Sequence, residues 1–276
     1  MLTETFASIR CSIIAFAIAD KHAPPPYFPD VVGTGFVIDT NGIVATNRHV
    51  VEALETLGNP ETADHVALGL TFSEIERETG AHVLTILPVS LRRWDKLTSF
   101  TSSADFFGEQ IPDIAFVQIG VSGLPAAKLV TEPGSWAVGT AIATAGFPLG
   151  RAALQIYERV NQVAPILRAG VIASVFPFPD PRPHGFTVDI MTLGGESGSP
   201  IFRADSPDVV GLLHAGFNGT NITLAVPSFL VAEAFANYRQ SVPLDFNGVI
   251  PFETAASSQR DSLRAAAEQI VGREPR

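Results

Sequence analysis

Thr192-Leu-Gly-Gly-Glu-Ser-Gly-Ser-Pro200 is the most informative stretch of this chain. A serine set among glycines on a tight loop can expose its hydroxyl and aim backbone N–H groups at one point. The hydroxyl then serves as a nucleophile and the N–H groups as an oxyanion hole. The glycines matter because a Cβ would obstruct a substrate carbonyl and because such a turn needs unusual φ. Taken alone, the string also fits a plain turn, so its meaning depends on whether the chain supplies a base and an orienting acid.

The histidines are His22, His49, His65, His82, His184 and His214. His49 stands out because Gly42-Ile-Val-Ala-Thr-Asn-Arg-His-Val-Val51 puts it at the end of a strand pattern and the start of a short helical one. Asp113 is the acid candidate: in Pro112-Asp-Ile-Ala-Phe-Val117 a carboxylate leads directly into an apolar run, where it needs hydrogen-bond partners. Each residue alone has a structural alternative, a helix-start histidine or a strand-entry turn. The order His49, Asp113, Ser197 discriminates among hydrolases that share a triad by convergence. An α/β-hydrolase needs the serine first, but only His214 follows Ser197, and Ser199 breaks the required Gly-x-Ser-x-Gly. A subtilisin-like enzyme needs the aspartate first and a parallel sheet.

The rest of the chain favours antiparallel β-structure. Short β-branched and aromatic runs, such as Gly35-Phe-Val-Ile38, Ile114-Ala-Phe-Val-Gln-Ile119, Gly170-Val-Ile-Ala-Ser-Val175 and Val209-Val-Gly-Leu-Leu213, lie between scattered glycines and prolines. That pattern predicts an all-β barrel or sandwich. Asp39-Thr-Asn-Gly42 predicts a tight hairpin turn. Helical signals are few: Val50 to Leu57, Ser228 to Tyr238 with Ser228 as its cap, and Ser257 to Val271 with Leu263, Ala266, Ala267 and Ile270 on one face. No βαβ alternation is present. Phe176-Pro-Phe-Pro-Asp-Pro-Arg-Pro183 is expected to be a surface loop of extended geometry.

With 276 residues, 46% hydrophobic and only 17% charged, the chain is not disordered and can bury a sizeable core. Its net charge of −10 argues against a nucleic-acid partner, which needs a cationic footprint. Cys11 is the single cysteine, which excludes an intrachain disulfide and a multi-cysteine zinc site and favours a reducing compartment. No apolar run approaches the roughly 20 residues of a membrane helix. The run from Cys11 to Ala19 ends in Asp20-Lys-His22 and lacks a basic start, so a buried strand is expected there rather than a signal peptide. The expectation is a cytoplasmic protein with no cofactor, metal, nucleic-acid or membrane partner.

The sequence resembles the chymotrypsin-fold serine proteases, most of all the HtrA/Deg type of bacterial trypsin-like peptidase. Gly33-Thr-Gly-Phe-Val-Ile38 resembles that family's opening strand, Ala45-Thr-Asn-Arg-His-Val50 its histidine motif and Asp113-Ile-Ala-Phe-Val117 its aspartate motif. Ala145-Gly-Phe-Pro-Leu-Gly150, Ala169-Gly-Val-Ile-Ala-Ser174 and Leu224-Ala-Val-Pro-Ser228 resemble later landmarks in the same order. The resemblance implies an all-β fold of two antiparallel six-stranded β-barrels with a C-terminal helix and a short helical tail. Residues 1–125 would form the barrel carrying His49 and Asp113, and 126–238 the barrel carrying Ser197 plus the terminal helix. Residues 239–276 would be a helical tail with no PDZ domain.

The function implied is a serine endopeptidase acting on protein or peptide substrates, with room for a regulatory partner protein. An acyl-enzyme would form on Ser197, His49 would shuttle the proton, Asp113 would hold its tautomer, and the N–H groups of Gly195 and Ser197 would form the oxyanion hole. Activity is expected without propeptide removal, because no obvious cleavage motif precedes Gly33-Thr-Gly35. The alternative is a silent or conditionally active module that acts as a binding or scaffold component of a larger assembly. Glu196 is its foothold, since a carboxylate beside the nucleophile could distort the loop.

Substrate-binding positions by the same resemblance are Met191, Thr192, His214, Ala215 and Gly216. Met191 stands where trypsin-like enzymes carry an aspartate, so cleavage after Arg or Lys is not expected. Gly195-Glu-Ser-Gly-Ser199 departs from the family's Gly-Asn-Ser-Gly-Gly, and Ser199 is shared with glutamyl endopeptidases. Thr192 and His214 match positions where those enzymes hold a substrate glutamate with a hydroxyl and an imidazole. Two preferences stay open, for acidic residues through that pair and for the small apolar residues of HtrA-like enzymes. The wall register is open too, since Ala215-Gly216 could take the place given to His214-Ala215.

Overall fold

A computed structural model describes residues 1–22, 29–58, 64–76, 82–100, 111–150, 155–156, 160–161, 164–217 and 219–271. Short β-branched and aromatic runs between turn-forming breakers make strand the commonest regular element among them. The first barrel consists of β1 (Ile13–Asp20), β2 (Asp30–Asp39), β3 (Ile43–Thr46), β4 (His65–Glu76), β5 (His82–Lys96) and β6 (Ala115–Ile119). It closes in the order β1-β2-β3-β6-β5-β4, with every pair antiparallel. The expected hairpin joins β2 to β3. Gly42 donates its N–H to the Asp39 carbonyl at 2.9 Å and has φ +86°. A Cβ there would also lie 2.2 Å from the Val121 carbonyl oxygen, so glycine is required for space as well as conformation.

After β7 (Val121–Ser122) the chain enters the second barrel with β8 (Ala141–Gly146). A small ribbon of β9 (Gln155–Ile156) and β10 (Val160–Asn161) precedes β11 (Ile166–Phe176). The barrel is completed by β12 (Gly185–Asp189), β13 (Pro200–Arg203), β14 (Val209–Gly216) and β15 (Ile222–Pro227), in the closed order β11-β12-β15-β14-β13-β8. The architecture is thus the expected chymotrypsin-like pair of six-stranded antiparallel barrels. Phe16 fills the first barrel with Ile14, Val37 and Val117, and Phe186 and Phe202 belong to the core of the second; Phe36 and Phe116 share that second core, Phe116 against Phe235 and Tyr238, and all five rings are fully buried. Burial of each such ring contributes about 1.5–3 kcal/mol. At the junction, Phe72 of β4 stacks on Phe147, which follows β8, with ring centroids 5.4 Å apart.

Among the described residues the α-helices are α1 (Leu2–Ile9), α2 (Arg48–Leu57), α3 (Ser228–Ser241) and α4 (Phe252–Val271). α1 has no counterpart in the sequence reading; it buries Ile9, and a short 3₁₀ turn from Arg10 to Ser12 delays β1 to Ile13. Ser228 does not cap α3. Pro227 occupies the cap position, and the buried Ser228 hydroxyl donates to the Val130 carbonyl at 2.6 Å, tying the helix to the segment before β8. Residues 176–183 form turns rather than an extended strip, with Asp180 N–H bonded to the Pro177 carbonyl at 3.0 Å.

The tail returns to the first barrel. β16 (Ile250–Pro251) pairs in parallel with β7, and α4 starts at Phe252, earlier than Ser257. Gln118 Nε2 donates to the Asp245 carbonyl at 2.8 Å and Gln259 Nε2 to the Ile86 carbonyl at 2.6 Å. Ala256 is 1% exposed and packs with Phe252 and Ala255 on the barrel. The side chains of Leu263, Ala266, Ala267 and Ile270 lie outside those described. A charge at Ala256 would be buried without a partner. Ala256→Asp is therefore expected to lower unfolding free energy by about 2–4 kcal/mol, measured by urea denaturation, while Glu253→Gln on the exposed face leaves it within about 0.5 kcal/mol.

Candidate active site

Three chain segments meet where the barrels abut. The first is the β3–α2 junction. Asn47 precedes α2 with φ −83° and ψ 151°, and it is fully buried. Its amide does not cap the helix; it donates to the Asp113 carbonyl at 2.8 Å. That bond fixes the second segment, the bend before β6, against the first. Asp113 in turn accepts from the His49 N–H through Oδ1 at 3.2 Å, and its Oδ2 lies 2.5 Å from His49 Nδ1. Backbone and ring of His49 are both held by one carboxylate.

The third segment is the Ser197 loop. Its φ signs follow the glycines, +96° at Gly195 and +89° at Gly198. The loop is bound to the other barrel through Thr34 of β2. Thr34 N–H donates to the Ser197 carbonyl and its hydroxyl to the Gly195 carbonyl, each at 2.8 Å. The Gly198 N–H reaches the Leu213 carbonyl at 3.0 Å. A Cβ at Gly198 would fall 1.9 Å from the Thr34 carbonyl oxygen, which explains the glycine. Among the described residues, neither Gly195 N–H nor Ser197 N–H donates to a protein acceptor, so both remain available to an oxyanion. Ser197 Oγ donates to the His214 carbonyl at 3.4 Å, and no hydrogen bond joins it to His49.

His214 departs from its expected place in the specificity pocket. The β14–β15 ladder shifts register between Leu213 and Ala215, so His214 sits in a bulge that re-aims its side chain. His214 Nδ1 lies 2.8 Å from Asp113 Oδ2, off the ideal ring N–H direction. One carboxylate oxygen therefore faces two imidazoles, whose rings are edge to face at 6.1 Å. A carboxylate accepts only, so the Nδ1 of His49 that bonds to it carries the proton and the His49 Nε2 is left as an acceptor, while His214 lies beside the same oxygen without a hydrogen bond. Burial alone would raise the Asp113 pKa; His214 and His49 together outweigh it and hold the carboxyl well below its ordinary 3.8. His49, Asp113 and His214 bring ligand atoms within 4.8 Å of one another, so they could hold a metal ion. Their N···O contacts of 2.5 and 2.8 Å are shorter than the about 3.3 Å separating two ligands on a tetrahedral zinc. The arrangement is that of hydrogen-bonded groups.

Around this cluster lies a cleft of about 820 Å³, bordered by Arg48, His49, Ile111, Phe176 and His214. Of the expected pocket positions, His214 borders this cleft, whereas Met191, Thr192, Ala215 and Gly216 do not. Thr192 Oγ1 is 3.1 Å from Thr223 Oγ1, and it fills the space a Cβ on Gly216 would occupy, 2.0 Å away. Met191 is exposed. Ser199 is fully buried against Gly146, and its hydroxyl has no protein partner among the described residues. Thr34, Asn47 and Thr223 are site residues that sequence reasoning missed. Thr34 was visible only as part of Gly33-Thr-Gly35, and nothing local marks its hydroxyl as a cross-barrel donor.

Fold and site geometry together define a chymotrypsin-like hydrolase scaffold. Residues 33–212 match the trypsin-like peptidase domain model, and the chain belongs to that family. No curated protein matches it by sequence. Among solved structures it is similar to Deg5, at 16% identity and TM-score 0.51, over 83% of this chain and 90% of that one. It is also similar to the HtrA-type protease AlgW with a decapeptide, at 14% identity and TM-score 0.55, over 87% and 68%. The serine endoprotease from Yersinia pestis matches at 13% identity and TM-score 0.51, over 87% and 67%. At these identities the structural neighbours bear on fold alone.

The Asp113 carboxyl gives a pH signature. A carboxyl whose folded pKa lies below its unfolded value stabilises the fold above the unfolded value and loses that contribution as pH falls through the folded one. The difference in thermal midpoint between wild type and Asp113→Asn is expected to be full above about pH 5 and to shrink steadily toward pH 2. Thermal scans at stepped pH check this, and a difference independent of pH would contradict the assignment.

Proposed function

We propose that this chain is a serine endopeptidase that works through an acyl-enzyme on Ser197. The observation that carries the reading is His49 held by Asp113 through both ring and backbone, with Nε2 left as the basic nitrogen. Ser197 Oγ turns from the His214 carbonyl to His49 Nε2, gives up its proton and attacks the scissile carbonyl. His49 then protonates the leaving amine, and a water repeats the sequence on the ester. Gly195 and Ser197 N–H stabilise the oxyanion, each such donor accounting for about 10²–10³ in kcat. Catalytic hydrogen bonds in free enzymes are commonly long and tighten with substrate, which accommodates the observed Ser197 position.

At the primary pocket positions, Thr192 leans on Gly216 and its hydroxyl is already engaged by Thr223. With His214 engaged by Asp113, the hydroxyl–imidazole pair for a substrate glutamate is not assembled. This supports cleavage after small apolar residues. A second reading, a module active only once a partner or substrate engages it, is favoured by the Ser197 hydroxyl resting on the His214 carbonyl.

A fluorophosphonate probe separates the two. Labelling of resting wild type, lost in Ser197→Ala and His49→Ala at unchanged thermal midpoint, is the expected result. Asp113→Asn should lower kcat by about 10⁴-fold. A peptide-library digest should show cleavage after Ala or Val. Labelling that appears only when a protein or peptide is added supports the second reading, and none under any condition overturns both.

A further inference from the structure

Glu196, next to Ser197, is 0% exposed. A carboxylate this deep needs partners, and the two it has meet one oxygen, Oε1 having none among the described residues. Its Oε2 accepts the Leu193 N–H at 2.8 Å and forms an ion pair with the Arg168 guanidinium. Arg168 comes from β11, where its backbone pairs with Thr144 of β8, so it is anchored in the barrel wall and not in the loop. Its Nη1 also donates to the Met191 carbonyl. One guanidinium thus touches the loop at Met191 and Glu196, and the carboxylate it holds fixes Leu193 between them. Burial disfavours the charged guanidinium and lowers its pKa, so the site bears a desolvation cost that a merely structural pair of apolar side chains would avoid.

The stitched residues, 191 to 196, lead directly into the oxyanion donors. Thr34 holds the Gly195 carbonyl from the first barrel, and the Arg168–Glu196 pair holds the other end of the same turn from the second. We propose that Arg168 and Glu196 are positioning residues: an ion pair internal to the chain that sets the Gly195 and Ser197 N–H groups for the oxyanion in the resting protein. The proposal rests on the serine-peptidase reading above. It reverses the expectation that Glu196 distorts the loop, because the carboxylate is turned inward and neutralised by the barrel wall.

The test compares wild type, Arg168→Met, Arg168→Lys, Glu196→Gln and the double variant Arg168→Met/Glu196→Gln. It reads kcat and KM on one peptide substrate, the inhibition constant of a peptidyl boronic acid, whose tetrahedral adduct needs the oxyanion donors, and the thermal midpoint. Arg168→Met is expected to lower kcat about 10²-fold and weaken the boronate in parallel, with KM within about threefold. Arg168→Lys should recover part of both, since it restores the charge without the two-point grip. Glu196→Gln should resemble Arg168→Met, and the double variant should lose little more than either single one. Should Arg168→Met not fold, the Lys and Gln variants carry the same comparison. Folded variants with wild-type kcat and boronate affinity would overturn the proposal, as would equal losses of kcat, KM and thermal midpoint without rescue by Lys. Wild type that reacts with neither substrate nor phosphonate would overturn the peptidase reading instead.

Discussion

Gly33-Thr34-Gly35 on β2 is the constraint on which the site depends. His49 and Asp113 belong to one barrel and Ser197 to the other, so their mutual geometry is only as good as the seam between barrels. Thr34 spans that seam with its N–H on the Ser197 carbonyl and its hydroxyl on the Gly195 carbonyl. The Thr46 hydroxyl holds the Thr34 carbonyl at 2.7 Å, linking the clamp to β3 just ahead of His49. Gly33 admits the Val50 side chain of α2, which would sit 2.5 Å from a Cβ there. One short strand segment therefore bears on the helix that carries His49 and on the loop that carries Ser197. Misplacement of reacting groups by about 1 Å can cost 10²-fold in rate, which gives such a seam its importance.

Two buried carboxylates flank the serine and serve different ends. Asp113 faces two imidazoles through one oxygen and bonds the ring and backbone of His49, an arrangement that fixes the tautomer and ring plane of that histidine. Glu196 faces a guanidinium and a backbone N–H, an arrangement that fixes a loop. Breaking such a pair from one side leaves an uncompensated buried charge, typically worth 3–5 kcal/mol. Both therefore tie the correct geometry of the site to the stability of the fold around it.

Much of this was legible in the amino-acid order. Asn41-Gly42 announced its hairpin because the turn needs a residue at positive φ, and the strands followed from short β-branched and aromatic runs between glycines and prolines. His49, Asp113 and Ser197 stood out because each lies at a strand boundary with turn chemistry around it. What escaped the sequence is what tertiary structure alone decides. His214 turns toward Asp113 because a bulge interrupts the β14 ladder, and a one-residue shift moves a side chain to the other face. Arg168 is one charged residue on a strand of mixed burial, with no local sign of the carboxylate it meets. Ser228 has the composition of a helix cap, yet Val130 claims its hydroxyl. Thr34 and Asn47 are ordinary strand and helix-start residues until their partners in distant segments are known.

The central claim is that Ser197 Oγ, His49 and the Gly195 and Ser197 N–H groups act on one carbonyl. The structure of a covalent complex with a peptidyl boronic acid tests it most directly. The account predicts boron bonded to Ser197 Oγ, one boronate oxygen about 2.7–3.1 Å from both N–H groups, and His49 Nε2 within hydrogen-bond reach of the adduct. A boronate bound elsewhere, or bonded to Ser197 with its oxygens facing away from Gly195, would contradict it.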